Sequence, residues 1–242
     1  NKHHVFTVFE HCVKSLQFAA QYDYPLHIRL AALFHDIGKP KTRRFDQHQN
    51  DYTFYAHDIV GARMAEKLMK RLHFPRDLTH DVAHLVRYHM FYYDVGKVTE
   101  AGARRLLKRV GGKDRFEDLI KVRMAERKGS GVPKAEPYRL RHLQFLVEKA
   151  AQEPISVGQL AISGHDVMQE LAVEPGPIIG GILNALLAEV LDNPKNNTRD
   201  YLLTRAKELR NKDHEELRRL GATAMEEEEA RREADIRRKY HV

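Results

Sequence analysis

The chain has 242 residues, of which 31% are charged and 42% hydrophobic, and its formal net charge is +7. This composition supports one elongated domain or two small ones and excludes a disordered chain. A single cysteine, Cys12, excludes a disulfide framework and predicts a reducing, cytoplasmic setting. The apolar runs are far shorter than the ~20 residues of a membrane span, so we expect no membrane partner. The sequence begins at Asn1 rather than at Met, which leaves open whether the chain is a fragment.

Nearly every segment repeats its apolar residues at helical spacing. Helices are predicted, in chain order, over residues 5–21, 26–35, 55–72, 77–90, 100–110, 115–127 and 138–152, and within 155–209. Residues 40–54 are polar and have no period, which predicts a loop, and the glycines and prolines of 128–137 predict a boundary. Because no strand pattern is found, the predicted fold class is all-α.

The predicted helices group into three parts along the chain. They are a helical bundle over residues 1–130, a smaller helical unit over 138–209 and a charged helix or tail over 210–242. In the last part, acidic residues precede basic ones by four positions, as in the pairs Glu227–Arg231, Glu228–Arg232 and Glu233–Arg237. This spacing stabilises an isolated helix, so we expect a solvated helix or a frayed tail.

Histidines lie on the apolar sides of four predicted helices. His11 shares a stripe with Val8, the pair His35-Asp36 ends an apolar helix, and His57 and His89 have similar positions on later helices. One inward histidine is usually a satisfied core residue, but four with an adjacent carboxylate predict a metal site. Imidazole and carboxylate together suit Fe, Mn, Co, Ni or Zn. An Asp beside a His can also bridge two ions, which would clamp a phosphate and activate a water.

The order of His11 and the His35-Asp36 pair in an all-α setting resembles the HD-domain phosphohydrolases. The stretches HHVFTVFEHCVKSL, LAALFHDIGKP, FYAHDIVGARMAEKLMKRLHFP and LVRYHMFYYDVG resemble the HD-domain part of bacterial CCA-adding enzymes and their poly(A)-polymerase-like relatives. The later stretches SGHDVMQEL and EPGPIIGGILNALLAEVL resemble the tRNA-binding C-terminal portion of those proteins. The resemblance covers roughly residues 3–209 and implies an HD-type bundle followed by a helical RNA-binding unit.

The resemblance also implies roles for single residues. The implied ligands of one or two divalent ions (Fe, Mn, Ni, Co, Zn or Mg) are His11, His35, Asp36, His57 and His89. The closing ligand of the family is an aspartate, where this chain has Glu126, whose longer side chain places the carboxylate differently. Asp36 and Lys39 are the implied catalytic residues, because Lys39 resembles a lysine that steadies a substrate phosphate. The alternative for Lys39 is a solvated loop lysine.

A strongly basic helix face is the second candidate site. It consists of Arg104, Arg105, Lys108 and Arg109. Like charges at this spacing are mildly destabilising, and contact with RNA phosphates would explain why they are tolerated. A plain solvated face is the alternative, and the sequence does not decide between the two. The family resemblance implies the expected partners, which are tRNA or another RNA 3′ end and a nucleotide or phosphate ligand.

Two function classes remain open. The first is a metal-dependent phosphohydrolase or phosphodiesterase that acts on 2′,3′-cyclic or 2′-phosphates of RNA ends or nucleotides. The second is a non-catalytic tRNA-binding body that supports CCA addition by a nucleotidyltransferase head absent from this chain. The sequence contains no Gly-Ser pair followed by an Asp-x-Asp motif, so we do not expect this chain alone to add nucleotides.

Overall fold

Helices dominate the part of the chain that the computed structural model describes, which is residues 6–91, 97–131, 138–152 and 156–242. The all-α prediction is confirmed, with one small two-stranded hairpin in addition. The chain divides into two units, Asn1–Ala151 together with Val242, and Gln152–His241. None of the described helices is both long and apolar enough to cross a membrane.

The first unit contains eight helices within the described residues. They are α1 (Val8–Gln21), α2 (Leu26–Phe34), α3 (Lys39–Thr42), α4 (His57–Arg71), α5 (Arg76–Tyr88), α6 (Glu100–Val110), α7 (Lys113–Gly129) and α8 (Tyr138–Ala151). Local chemistry sets several of their ends. Thr7 and Glu10 form a capping box at the start of α1, and Pro25 and Pro75 precede α2 and α5. Gly111, with φ of 88°, ends α6 in the left-handed conformation.

A large apolar core joins α2 and α4 through α8, and a small cluster of Ala19, Ala32 and Ala125 joins α1 to α2 and α7. Helix α1 packs against α2 and α7, α2 against α5 and α7, α4 against α5, and α6 against α8. The largest fully buried side chains of this core are Ile28, Met69, Leu85, Phe116 and Leu119. Together the large core and the small cluster hold the helices that carry the four histidines at a fixed spacing.

Helix α8 belongs to the first unit, whereas the sequence analysis placed it in the second. Its apolar residues Leu140, Leu143 and Val147 are buried in the same core as Phe116. The break predicted at 128–137, of which 132–137 lie outside the described residues, separates two helices rather than two cores. Composition indicates where a helix ends, but which core receives the next apolar face depends on packing.

Residues 40–54 contain structure that the predicted loop lacks. Strand β1 (Arg44–Asp46) pairs antiparallel with β2 (Asp51–Thr53), so that Phe45 lies opposite Tyr52. Strands of three residues are too short for an alternating pattern to be recognised in the sequence, which explains the difference.

The second unit is built around one apolar helix. Its helices are α9 (Gly164–Leu171), α10 (Pro177–Asp192), α11 (Arg199–Leu209) and α12 (His214–Tyr240), with short 3₁₀ turns at Val157–Gln159 and Pro194–Asn196. Helix α10 packs against α9, α11 and α12. Its fully buried residues include Ile182, Leu186 and Leu187, which form a core with Leu202 and Leu217 of the neighbouring helices.

Helix α12 is the predicted charged helix, but its first part is packed rather than solvated. Leu217 is fully buried, and Gly221 lies so close to Asn184 that a Cβ there would be 2.4 Å from the Asn184 Cβ. The predicted pairs of Glu228 with Arg232 and of Glu233 with Arg237 are present at 2.9 and 2.8 Å. Arg231 pairs with Glu228 instead of the expected Glu227.

Candidate metal centre

Four helices of the first unit bring the predicted histidines to one buried place. His11 lies in α1, His35 and Asp36 directly follow α2, His57 begins α4, and His89 directly follows α5. All five side chains belong to residues no more than 9% exposed, and His35 is completely buried. The structure therefore brings together five of the six residues that the sequence analysis named as metal ligands.

The backbone fixes which nitrogen of each imidazole faces the centre. Nδ1 of His35 lies 2.8 Å from the carbonyl oxygen of Ala32. Nδ1 of His57 lies 2.8 Å from the carbonyl oxygen of Phe54, and Nδ1 of His89 lies 2.7 Å from that of Val86. His11 forms a hydrogen bond with the backbone of Gly129. Because a carbonyl oxygen can only accept a hydrogen bond, Nδ1 of His35, His57 and His89 carries a proton. When one of these rings is neutral, its lone pair is therefore on Nε2.

The Nε2 atoms meet in two pairs. The distance between them is 3.1 Å for His11 and His35 and 3.3 Å for His57 and His89. Two lone pairs facing each other at this distance repel unless a proton or a cation lies between them. Two nitrogen ligands about 2.1 Å from one ion stand about 3.0–3.4 Å apart in common geometries. The observed spacing therefore fits a shared cation.

Asp36 lies between the two histidine pairs. Its Oδ2 is 3.3 Å from Nε2 of His35 and 3.8 Å from Nε2 of His11, whereas its Oδ1 is 3.5 Å from Nε2 of His57. Two groups with metal-ligand spacing result, His11–His35–Asp36 and Asp36–His57–His89, and Asp36 is common to both. Imidazole nitrogens and a carboxylate form a donor set that fits divalent transition ions.

The charges in the centre keep the carboxylate ionised. Burial favours the neutral carboxyl, but the charge of His35 and its hydrogen bond, followed by Lys39, hold the pKa of Asp36 below its usual range. Burial also opposes protonation of His35, yet the charge and hydrogen bond of Asp36 outweigh it and raise the His35 pKa. A proton on His35 and a metal ion are thus competing ways to place positive charge among these acceptors.

Two other groups in the centre are held neutral. Burial, and then the charge of His35, lower the pKa of His89 to about 4, so its imidazole is neutral at physiological pH. Burial, followed by the charge of Asp36, raises the pKa of the Cys12 thiol to about 12. Cys12 is therefore an inert core residue and not a nucleophile.

Lys39 contacts the centre directly. It is the first residue of α3, and its Nζ lies 2.6 Å from Oδ2 of Asp36 with the side chain only 14% exposed. A solvated loop lysine would have no such contact. Its position places a positive charge beside the shared carboxylate.

Glu126 lies near the centre but outside both ligand groups. Its two carboxylate oxygens are 2.7 and 2.6 Å from Nη1 of Arg123, which lies one turn earlier on α7. Burial favours the neutral acid, but the charge of Arg123 lowers the pKa of Glu126. The arginine thus holds the carboxylate that the sequence analysis assigned to the metal.

The basic face of α6 is present as predicted in its geometry. Its four basic side chains are exposed, while Ala103, Leu106 and Val110 turn the opposite face into the core. Arg104 pairs with Glu100 one turn earlier, which partly neutralises the face. Contact with RNA at this surface stays a prediction.

A cavity beside the centre escaped the sequence analysis. Its volume is about 620 Å³, and His11, Asp36 and Lys39 line it together with Arg43, Phe45 and Tyr52 of the hairpin region. The sequence signal was the group of four aromatic residues, Phe45, Tyr52, Phe54 and Tyr55, that follows Arg43 and Arg44 in a segment that otherwise has loop composition. The metal centre thus opens on a space that a small ligand can enter.

Similarity to known proteins agrees with this geometry. The HD domain family matches residues 8–128, which is half of the chain and includes every residue of the two ligand groups. The protein therefore belongs to the HD-domain family, whose members bind divalent metals.

Two of the similar proteins are tRNA nucleotidyltransferases. The chain is 36% identical over 184 residues to a CC-adding tRNA nucleotidyltransferase of Thermus thermophilus, covering 74% of this chain and 40% of the relative. It is 31% identical over 188 residues to an A-adding tRNA nucleotidyltransferase of Deinococcus radiodurans, covering 76% of this chain and 42% of the relative. A multifunctional CCA protein of Neisseria meningitidis is 31% identical to the chain over 149 residues, which cover 59% of this chain and 34% of the relative.

The chain spans about two fifths of the length of the first two relatives. No solved structure matches it significantly.

Proposed function

We propose that the first unit is a metal-dependent phosphohydrolase that acts on 2′,3′-cyclic or 2′-phosphates of RNA ends or nucleotides. One observation carries the proposal: the two carboxylate oxygens of Asp36 face different histidine pairs, at 3.3 Å from His35 and 3.5 Å from His57. Membership of the HD-domain family supports it.

The ligand set of the proposed site is His11, His35, Asp36, His57 and His89. Divalent ions held there would supply Lewis-acid stabilisation of phosphate charge and would activate water for hydrolysis. The protein's own part is to hold the Nε2 atoms in place through the backbone hydrogen bonds at Nδ1, and to keep Asp36 ionised. Neither task requires a side chain to rearrange during the reaction.

Lys39 is the proposed phosphate-binding residue. Lys39 lines the cavity and its Nζ is paired with Asp36, so a substrate phosphate entering there would meet a positive charge already in position. A lysine binds phosphate as a point charge with three donors, and it can therefore contact the phosphate and Asp36 together. This contact would be strongest where negative charge develops during hydrolysis.

The second candidate function is a tRNA-binding body for a nucleotidyltransferase head outside this chain. Its support is that the relatives are tRNA nucleotidyltransferases of more than twice the matched length. The exposed basic face of α6 supplies charges suited to RNA phosphates. A cytoplasmic location, expected from the single cysteine, suits both candidates and stays a prediction.

Hydrolysis of 2′,3′-cyclic AMP by the full chain, supplied in turn with Mn, Co, Ni or Mg, tests the first candidate. Asp36→Ala should abolish hydrolysis and lower the metal content, because it removes the carboxylate common to both ligand groups. The matched control is Asp200→Ala, an exposed carboxylate of the second unit, which should change neither.

Two results would reject the proposal. Wild-type protein that binds tRNA at micromolar concentration but hydrolyses nothing with any of these ions would favour the tRNA-binding body. Elemental analysis in which His35→Ala retains the metal content of the wild type would show that the ligand set is wrong.

A further inference from the structure

The hairpin formed by β1 and β2 supplies one wall of the cavity beside the metal centre. Arg43, Phe45 and Tyr52 line this wall, and Asp36 and Lys39 line the same cavity. The volume of about 620 Å³ falls within the roughly 300–1,000 Å³ of small-ligand sites. The cavity is therefore larger than a phosphate group alone requires.

Planar side chains pack against one another on this wall. Phe45 and Tyr52 are direct cross-strand partners, with ring centroids 5.3 Å apart in an edge-to-face arrangement. The Arg43 guanidinium carbon lies 3.7 Å from the centre of the Tyr52 ring. Aromatic rings and arginine planes are the surfaces on which proteins stack unpaired nucleobases.

The two rings remain open to solvent. Phe45 is 53% exposed and Tyr52 is 43% exposed, although a hairpin with three-residue strands has few other contacts to stabilise it. Burying both rings against the chain would stabilise the hairpin, so their exposure favours a surface used for binding.

Two positive groups of the cavity lie where they can contact an anion beside the aromatic rings, although the carboxylates of Asp36 and Asp51 also line it. Lys39 and Arg43 are its basic residues, and Lys39 Nζ also lies 5.7 Å from the centre of the Phe54 ring. Asp51 lines the cavity as well, but its carboxylate accepts a hydrogen bond of 2.7 Å from the backbone N–H of Tyr52. A nucleotide combines both features, because it joins a planar base to a phosphate.

We propose that Arg43, Phe45 and Tyr52 form a nucleobase-binding subsite for a nucleotide whose phosphate lies at Lys39. The inference deepens the proposed function and rests on it for the position of the phosphate. A free mononucleotide and the 3′-terminal nucleotide of an RNA share this chemistry.

Equilibrium binding to the full chain tests the subsite. The probes are adenosine 3′-monophosphate, a short single-stranded RNA that ends in adenosine 3′-phosphate, and inorganic phosphate as a ligand without a base. Tyr52→Ala and Phe45→Ala should each weaken binding of at least one nucleotide probe by about fivefold or more, as expected for loss of a stacking partner. Binding of inorganic phosphate should not change.

Two further variants separate stacking from damage to the hairpin. Tyr52→Phe retains a ring and should bind the nucleotide probes like the wild type. Tyr55→Ala removes an aromatic side chain that is 72% exposed and does not line the cavity, and it should have no effect. Circular dichroism and metal content verify that each variant keeps its fold and its centre.

The inference and the proposed function can fail separately. If Tyr52→Ala and Phe45→Ala bind both nucleotide probes like the wild type, the subsite is rejected even where cyclic nucleotides are hydrolysed. If these variants lose nucleotide affinity but the wild type hydrolyses nothing, the subsite stands and the phosphohydrolase proposal is rejected. If the variants lose affinity for the mononucleotide alone, the ligand is a free nucleotide. If they lose affinity for the RNA alone, the ligand is the 3′-terminal nucleotide of an RNA.

Discussion

The backbone of Gly38 lies directly against the backbone of His57. A Cβ on Gly38 would be 2.2 Å from the His57 carbonyl oxygen and 2.7 Å from the Gly61 nitrogen, distances that no real Cβ adopts. Gly38 follows Asp36 by two residues, and His57 begins α4. This close approach therefore sets the position of His57 relative to the shared carboxylate.

Gly38→Ala should lower both stability and metal content. The added methyl group forces α4 away from the segment that follows α2, at a cost of about 1–3 kcal/mol in the free energy of unfolding. Thermal unfolding and elemental analysis measure the two effects. Gly180→Ala is the matched control, because a Cβ there meets nothing within 4 Å and Ala favours a helix interior by about 0.5–1 kcal/mol. Full metal content in Gly38→Ala would show that the close approach of Gly38 to His57 does not position the ligands.

Glu126→Gln should leave the metal content unchanged. The Glu126 carboxylate is held by Arg123 at 2.6 and 2.7 Å, and it lies outside both ligand groups. Elemental analysis of Glu126→Gln beside His35→Ala, which removes a proposed ligand, measures the difference. A loss of metal in Glu126→Gln as large as in His35→Ala would instead make Glu126 a ligand, as the sequence analysis expected.

Replacing Arg105 and Arg109 together by Ala should weaken tRNA binding and flatten its dependence on salt. These side chains are exposed one turn apart on α6, and each phosphate contact contributes about 0.7–0.9 to the logarithmic salt slope. Metal content should not change. The control is the double replacement of Arg63 and Lys67, which are exposed at the same spacing on α4. An unchanged slope in the α6 variant would show that this face does not bind RNA.

Glu189→Gln should destabilise the protein near neutral pH but not in acid. Glu189 Oε1 lies 2.7 Å from Nη2 of Arg205 and Oε2 accepts a hydrogen bond of 2.9 Å from the Tyr201 hydroxyl. Burial raises the pKa of Glu189, but these hydrogen bonds outweigh it and hold the pKa below its usual value of 4.5. The stabilisation is therefore present above that value and is lost as the pH falls through the lower folded-state pKa.

The size of this effect is modest because the pair is partly exposed. We expect about 1 kcal/mol at pH 7, which corresponds to a decrease of about 2–4 °C in the thermal midpoint. The difference between Glu189→Gln and the wild type should shrink as the pH falls below 4.5. Glu226→Gln, an exposed control in the second unit, should match the wild type throughout. A difference that is independent of pH would exclude the charged pair as its source.

The sequence alone was sufficient for the longer helices of the first unit and for predicting which histidines are buried, but not for the short helix α3. Apolar residues at helical spacing located α1, α2, α4 and α5, because burying one face of a helix imposes that period on the chain. His11 and His89 stand on the buried side for the same reason, so their inward position follows from local pattern.

The tertiary structure decided which partner a single carboxylate binds, how short segments pair and which core a helix joins. The family resemblance implies a position for Glu126 near the centre, but only the packed side chains show that Arg123 holds its carboxylate, because a rotation about the side-chain bonds decides between the two partners. The hairpin likewise arises from pairing between segments too short to carry a period. Helix α8 joins the first core because its apolar face fits there. Periodicity determines which residues are buried, and only packing in three dimensions determines which of them meet.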